Sequence, residues 1–371
     1  FEAGAMTAEQ VAQTASAGEK PAKPGANRDE RRPLVSVNDL KKYFTIRGGL
    51  LTRTLANVQA VDYVSFEVKR GETLGIVGES GCGKSTTARL LMRLITPDEG
   101  DVIIDGKRVG PDGMSLREMR RQMQMVFQDS FASLNPRLTI EDTIAFGPMV
   151  HGVAQDEARQ RARDLLAKVG LDPNLFIRRY PHELSGGQRQ RINIARALAL
   201  EPKIVILDEA VSALDKSVEA QVLNLLMDLK RDFELTYIFI SHDLHVVHYV
   251  SDRVLVMYLG KVVEIGPVDQ IYENPRHPYT QALLSAMPSM DPDNRKQEPP
   301  LSGDPPNPIN PPSGCRFHTR CPFAEDICTK AAPMLDLVDA ASGQLAACHM
   351  TQPGSGHSAA PARGNDARKS A

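Results

Sequence analysis

The 371-residue chain has no surplus of basic residues: 44 Lys and Arg face 46 Asp and Glu, for a formal net charge of −2. A dedicated nucleic-acid binder neutralises phosphates with such a surplus, so nucleic acid is not expected to be the main partner. Long apolar runs are missing too. Nothing approaches the roughly 18 consecutive apolar residues that span a bilayer, so the chain is not expected to cross a membrane by itself. No charged flank followed by an apolar stretch opens the sequence, and FEAGA ahead of Met6 reads as an addition. No secretory leader is therefore expected, and a cytosolic location is. Cysteine is scarce: Cys82 stands alone, while Cys315, Cys321, Cys328 and Cys348 crowd the last part of the chain. A reducing cytosol disfavours two disulfides there, which makes a metal site worth weighing.

What is present is ordinary for a globular protein, with 42% apolar and 24% charged residues, and the length allows two or three domains at roughly 150 residues each. Residues 1–33 are Ala-, Lys- and Gly-rich without apolar periodicity and are expected to form a flexible arm. From Leu34 to about Gly106 the pattern is strand-like, and ETLGIV runs into a glycine-rich turn and a helix expected over 84–95. Helix-spaced apolar residues at Thr139–Val150, Gln155–Val169 and Gly187–Leu200 imply a helical insert, placed at about 129–200. Apolar runs at Ile204–Leu207, Tyr237–Ile240 and Val254–Tyr258 alternate with helical stretches at 215–232 and 243–250, as parallel βα units do. Nine of the 26 prolines lie between Pro288 and Pro312, so that stretch is expected to be an irregular strap. A small cysteine-bearing unit is expected after it, and 351–371 is expected to be a disordered tail.

The chemistry begins with GESGCGKS at 78–85, which satisfies G-x-x-x-x-G-K-[ST] between an apolar strand and a helix. Gly78, Gly81 and Gly83 let backbone N–H groups wrap phosphates, Lys84 neutralises the β- and γ-phosphates, and the Ser85 hydroxyl suits Mg²⁺. Glu79, Ser80, Cys82 and Thr86 complete this ATP-binding set, with Cys82 filling space as a small buried side chain. IVILDE at 204–209 is a buried strand ending in two carboxylates. Asp208 is expected in the Mg²⁺ shell, and Glu209 is placed to polarise attacking water. In LSGGQRQR at 184–191, Ser185, Gly186 and Gly187 open a helix whose free N–H groups make a second anion site. With a phosphate loop already present, that site suggests service to another chain's nucleotide.

Phosphate loop, LSGGQ, LDE, SALD at 212–215 and His242 occur in the order and spacing of ATP-binding-cassette ATPases, which the chain resembles. The resemblance implies an α/β fold, a P-loop NTPase ABC-type nucleotide-binding domain over 34–287 with an inserted helical subdomain. It also implies a head-to-tail dimer in which each ATP lies between one subunit's phosphate loop and the other's Leu184, Ser185, Gly186, Gly187 and Gln188. Residue by residue, Gln128 in VFQD corresponds to the glutamine that contacts Mg²⁺ and water, His242 to the γ-phosphate histidine, and Asp215 to a dimer contact. Phe44 in LKKYFTI is taken as the adenine-stacking aromatic, with Tyr43 as the alternative. The family usually has Pro where this chain has Ala210.

SLNPR at 133–137, NPRHPYTQALLSAMP at 274–288 and the strap before the cysteines resemble the dipeptide/oligopeptide importer ATPases, specifically the second, F-type subunit. That likeness implies a sister ATPase in a heterodimer, two transmembrane permease subunits, an extracytoplasmic substrate-binding protein, and a peripheral position on the cytoplasmic face of the inner membrane. Importers of another small solute such as nickel are the near alternative. A soluble cassette acting in translation or DNA repair is the distant one, disfavoured because there is one Walker motif and no sustained heptads. Four thiolates separated by five, six and nineteen residues can hold zinc or an iron–sulfur cluster. Tight C-x₂₋₄-C pairs are absent, and the resemblance favours a four-iron four-sulfur (4Fe-4S) cluster on Cys315, Cys321, Cys328 and Cys348 within a strap-and-cysteine unit over 288–350, with zinc, or reduced or disulfide-linked cysteines, as the alternatives.

Overall fold

A computed structural model of the chain describes residues 32–48, 53–287, 303–304 and 306–361. The expected arm, apart from its last two residues, most of the proline strap, and 362–371 lie outside them. The described residues from 33 onward fall within one compact unit. In chain order its first elements are β1 (Val35–Gly48), β2 (Arg53–Val68), β3 (Thr73–Val77), α1 (Lys84–Leu91), β4 (Glu99–Ile104), β5 (Lys107–Arg108), α2 (Leu116–Gln122) and β6 (Met123–Val126). The helices α3 (Ile140–Val150), α4 (Gln155–Lys168), α5 (Pro173–Phe176) and α6 (Gly186–Leu198) follow. The chain continues with β7 (Ile204–Asp208), α7 (Lys216–Asp232), β8 (Thr236–Ile240), α8 (Leu244–Val250), β9 (Arg253–Tyr258) and β10 (Lys261–Pro267). It ends with α9 (Val268–Glu273), α10 (Pro278–Ser285), α11 (Asp326–Lys330), β11 (Asp336–Asp339) and β12 (Gln344–Ala346).

An eight-stranded sheet runs in the order β11-β12-β10-β9-β3-β8-β7-β6, parallel from β9 to β6. Successive strand side chains point to opposite faces, and each face of this sheet has its own core. Ile204, Ile206, Ile238, Ile240, Leu255 and Met257 pack with α1 and the antiparallel sheet β2-β1-β4-β5. Val205, Leu207, Tyr237, Phe239, Val254 and Val256 pack with the helical cluster. Covering both faces is what makes these strands read as continuous apolar runs. In the insert, Thr139 caps α3 through the N–H of Asp142, and α3, α4 and α6 enclose Ile144, Leu165, Leu166 and Ile194.

Three expectations are corrected. The helix after the phosphate loop stops at Leu91 instead of 95, because Arg93 adopts a left-handed backbone (φ 51°) that a right-handed helix cannot continue. Residues 313–350, expected to be a small appended unit, are continuous with the main sheet: β12 pairs antiparallel with β10, Glu264 opposite Ala346, so the cysteine-bearing segment extends that sheet. Residues 351–361, expected to be disordered, are folded back on that segment. His357 is buried with Nε2 2.9 Å from the Phe323 carbonyl, and the Ser358 hydroxyl donates to Glu325. Their Gly- and Ser-rich composition hid these long-range bonds.

A buried charge cluster fastens the segment. Asp62, 5% exposed, accepts from the Tyr43 hydroxyl (2.6 Å), Lys261 (2.9 Å) and the Arg316 guanidinium (2.5 Å). Burial pushes the Asp62 carboxyl up, but the hydrogen bonds of Tyr43 and Lys261 and the charges of Lys261 and Arg316 outweigh it and hold it below the ordinary range. Because the folded-state value is the depressed one, this contribution is complete at neutral pH and is lost as pH falls below the ordinary Asp value of about 3.9. Arg316→Met is expected to cost about 2–4 kcal/mol by leaving a buried carboxylate under-compensated. Adding Asp62→Asn should recover much of it, read from urea midpoints at neutral pH.

Candidate functional site

The phosphate loop follows the fully buried β3 and is built by close approach of backbone. Gly78 has φ 148°, and a Cβ there would lie 2.2 Å from the Met257 carbonyl; at Gly83, φ 109°, it would lie 2.3 Å from the Ala60 carbonyl. Only glycine fits either place. Ser80 and Gly81 form the exposed crest, and Thr86 is half-buried in α1. Lys84 is buried, with its ammonium donating to the carbonyls of Gly78 (2.7 Å) and Glu79 (3.1 Å) and lying 3.8 Å from Cys82 Sγ. Cys82 is buried, and burial pushes its thiol up.

The two expected Mg²⁺ ligands of the core already touch: Ser85 Oγ donates to Asp208 Oδ1 at 2.9 Å. Asp208 is 4% exposed, and burial pushes its carboxyl above the ordinary range. A cation there would relieve that cost, and an oxygen-only, partly completed set suits a Mg²⁺ that keeps phosphate and water ligands. The next residue, Glu209, turns away through a left-handed backbone (φ 49°), its N–H donating to the Ile240 carbonyl at 2.9 Å. That turn lets Gln128 Nε2 donate to Glu209 Oε2 at 2.7 Å while His242 Nδ1 lies 3.5 Å from the same oxygen. β6, β7 and β8 are neighbours in the sheet, so residues just beyond their carboxyl ends converge on one carboxylate.

Ser185 caps α6 in a reciprocal box with Gln188: the Gln188 N–H donates to Ser185 Oγ (3.3 Å) and the Ser185 N–H to Gln188 Oε1 (3.0 Å). Leu184 is buried, and a Cβ on Gly187 would strike Val218 Cγ1 at 2.5 Å, which explains one of the two glycines. Asp215 caps the adjacent α7 through the Val218 N–H (3.0 Å) and is exposed. Phe44 lies opposite Val58 on β1 and is 39% exposed, with the Lys42 ammonium 5.8 Å from its ring centre. Tyr43 has its hydroxyl committed to Asp62, so Phe44 is the freer of the two rings.

Cys315, Cys321, Cys328 and Cys348 line one small cavity walled by Phe317 and Phe323, and all four are free thiols. Burial pushes Cys315 up to about 11 and Cys348 up to about 12. Among the described residues no group of three or more His, Cys, Asp or Glu is placed to hold a metal ion. The expected site is thus a cavity bearing four thiols, without a formed metal-binding group.

Sequence reasoning missed the groups that hold the loop from outside. Arg320 forks onto Glu79 (2.8 and 3.0 Å), and the Glu79 N–H donates to the Tyr279 hydroxyl (2.8 Å). The Gln59 N–H donates to the Pro308 carbonyl (3.1 Å), at the end of the strap. NPRHPYTQ was recognisable as a motif, yet nothing in it announced that Tyr279 reaches the phosphate loop.

Comparison with known proteins places this geometry. The ABC transporter family model matches residues 61–212, and the model of the oligopeptide/dipeptide transporter C-terminal region matches 263–328. The oligopeptide transport ATP-binding protein AppF of Bacillus subtilis is 50% identical over 322 residues, 85% of this chain and 97% of AppF. The di/tripeptide transport ATP-binding protein DppF of Pseudomonas aeruginosa is 48% identical, covering 85% and 97%. Among solved structures, cbiO1 of Clostridium perfringens, part of the ABC transporter complex cbiONQ, gives a TM-score of 0.56 at 27% identity, covering 65% of this chain and 91% of that one. The ATP-binding cassette MJ0796, in a dimeric post-hydrolysis state with ADP and phosphate, gives 0.54 at 27%, covering 63% and 98%. The chain therefore belongs to the ABC transporter family as an ATP-hydrolysing, ATP-binding subunit, in the branch that carries the oligopeptide/dipeptide transporter C-terminal region.

Proposed function

We propose that this subunit energises uptake of di- or oligopeptides through permease subunits on other chains, with a substrate-binding protein delivering the cargo. The observation that carries the catalytic half is the convergence of Gln128 and His242 on Glu209 beside the Ser85–Asp208 pair. The peptide half rests on the names of the relatives and on the matched C-terminal region. Among the described residues no helix is long and apolar enough to cross a membrane, which fits a subunit that reaches the inner face of the cell membrane through its permeases.

In this reading the loop N–H groups and Lys84 bind the β- and γ-phosphates, and Phe44 stacks on adenine. Mg²⁺, when bound by Ser85, Asp208 and Gln128, neutralises charge on the phosphates. Glu209 orients water for in-line attack, with His242 and Gln128 holding its carboxylate in place. Ser185, Gly186, Gly187 and Gln188 of a sister ATPase close over the phosphates, and Asp215 lies along that dimer contact. A 4Fe-4S cluster is the proposed occupant of the cysteine cavity. Four thiols lining one small cavity, with His277, His318, His349 and His357 also in its wall, support it, and a cluster bound there would supply thiolate bonds that staple 315–348 together.

Glu209→Gln is expected to bind MgATP within about twofold of wild type while turnover falls by about two orders of magnitude or more, since it removes the water-orienting carboxylate and no phosphate ligand. Wild-type turnover in the assembled transporter would contradict the assignment. Ser185→Arg is expected to leave nucleotide binding at this chain's own loop intact and to abolish turnover at the interface it closes. Equal loss of affinity at its own loop, measured on the isolated subunit, would show that LSGGQ serves in cis. Protein purified without oxygen is expected to be brown with about four irons per chain, bleached by Cys→Ser at 315, 321, 328 or 348 but not at 82. A colourless protein with one zinc would move the assignment to zinc.

A further inference from the structure

Glu79 is the one carboxylate in GESGCGKS, and a negative charge in a cradle for polyphosphate works against binding. Its surroundings answer that charge. Arg320, with a side chain 5% exposed, gives both terminal nitrogens to the two Glu79 oxygens, and its Nη1 is also 3.4 Å from the Tyr258 hydroxyl. The fully buried Tyr279 accepts the Glu79 N–H, while on the loop's inner side Lys84 donates to the Glu79 carbonyl. Arg320 closes a turn whose N–H donates to the Phe317 carbonyl, and Phe317 packs edge-on against Tyr258 and Tyr279. The fork is therefore pre-aimed by an aromatic cluster and hangs from the segment between Cys315 and Cys321.

Taking residues 78–85 as the ATP loop, as read above, we propose that Arg320 is a positioning residue for the nucleotide: it neutralises Glu79 and fixes that side of the phosphate loop from the C-terminal segment. A guanidinium suits this place because its two parallel bonds set orientation as well as charge. An ion pair that merely stapled the segment to the core would change stability and leave nucleotide affinity alone.

The test uses the full chain, a fluorescent ATP analogue with Mg²⁺, and steady-state ATP turnover. Arg320→Ala is expected to weaken nucleotide binding and raise KM for ATP about tenfold at low salt, less at high salt, with kcat at saturating ATP within about twofold. Adding Glu79→Gln should recover most of that loss, because the uncompensated charge is gone. Unchanged affinity in Arg320→Ala with only a lower Tm, or no recovery in the double variant, would overturn the proposal. Should Arg320→Ala fail to fold, Arg320→Gln decides, since it removes the charge and the fork but keeps a polar side chain: weaker nucleotide affinity supports the proposal, and wild-type affinity overturns it. Lys84→Ala separates the two levels, since wild-type binding in that variant would sink the phosphate-loop reading itself.

Discussion

A polyphosphate can be held by bare backbone N–H groups only if the loop that carries them cannot relax, and this constraint organises the molecule. The loop at 78–85 is pressed between two backbones, the Met257 carbonyl against Gly78 and the Ala60 carbonyl against Gly83. β9 carries the first and β2 the second, so both sheets must be in place before the loop has its shape. Lys84 spans the inside of the loop, its ammonium donating to the Gly78 and Glu79 carbonyls. Arg320 and Tyr279 hold the outside, and the Pro308 carbonyl of the strap accepts from the Gln59 N–H of β2, next to Ala60.

The chemistry depends on a second local constraint. Asp208 and Glu209 are consecutive but must serve different partners, one beside Ser85 and the other between Gln128 and His242. A regular strand would send them to opposite faces; the left-handed backbone at Glu209 instead ends β7 and turns the second carboxylate toward the tips of the neighbouring strands. Strained backbone of this kind costs on the order of 1–3 kcal/mol and persists where the surroundings enforce it. Here the bond from the Glu209 N–H to Ile240 and the Ser212 hydroxyl donating to the Glu209 carbonyl do so.

Much of this was legible because it is local. GESGCGKS spends its information within eight residues, IVILDE announces a buried strand and two acids, and the helices of the insert show in their apolar spacing. The convergence of Gln128, Glu209 and His242 could be assigned only through resemblance, since nothing in VFQD or ISHD alone names a shared partner. What stayed hidden pairs residues far apart in sequence. Arg320 and Glu79 are 241 positions apart, Arg316 and Asp62 254, and single ion pairs leave no periodic trace. For the same reason the composition of 313–361 suggested an appendage and a loose tail, whereas β12 bonds to β10, and His349 and His357 tie the last turns down.

If Arg320 positions the phosphate loop as proposed, the C-terminal segment responds to nucleotide together with that loop. Backbone hydrogen–deuterium exchange on the intact chain, with and without MgATP, tests this most directly. The account predicts that nucleotide slows exchange at 78–85 and at 315–321 together. Protection confined to 78–85, with 315–321 exchanging at the nucleotide-free rate, would contradict it.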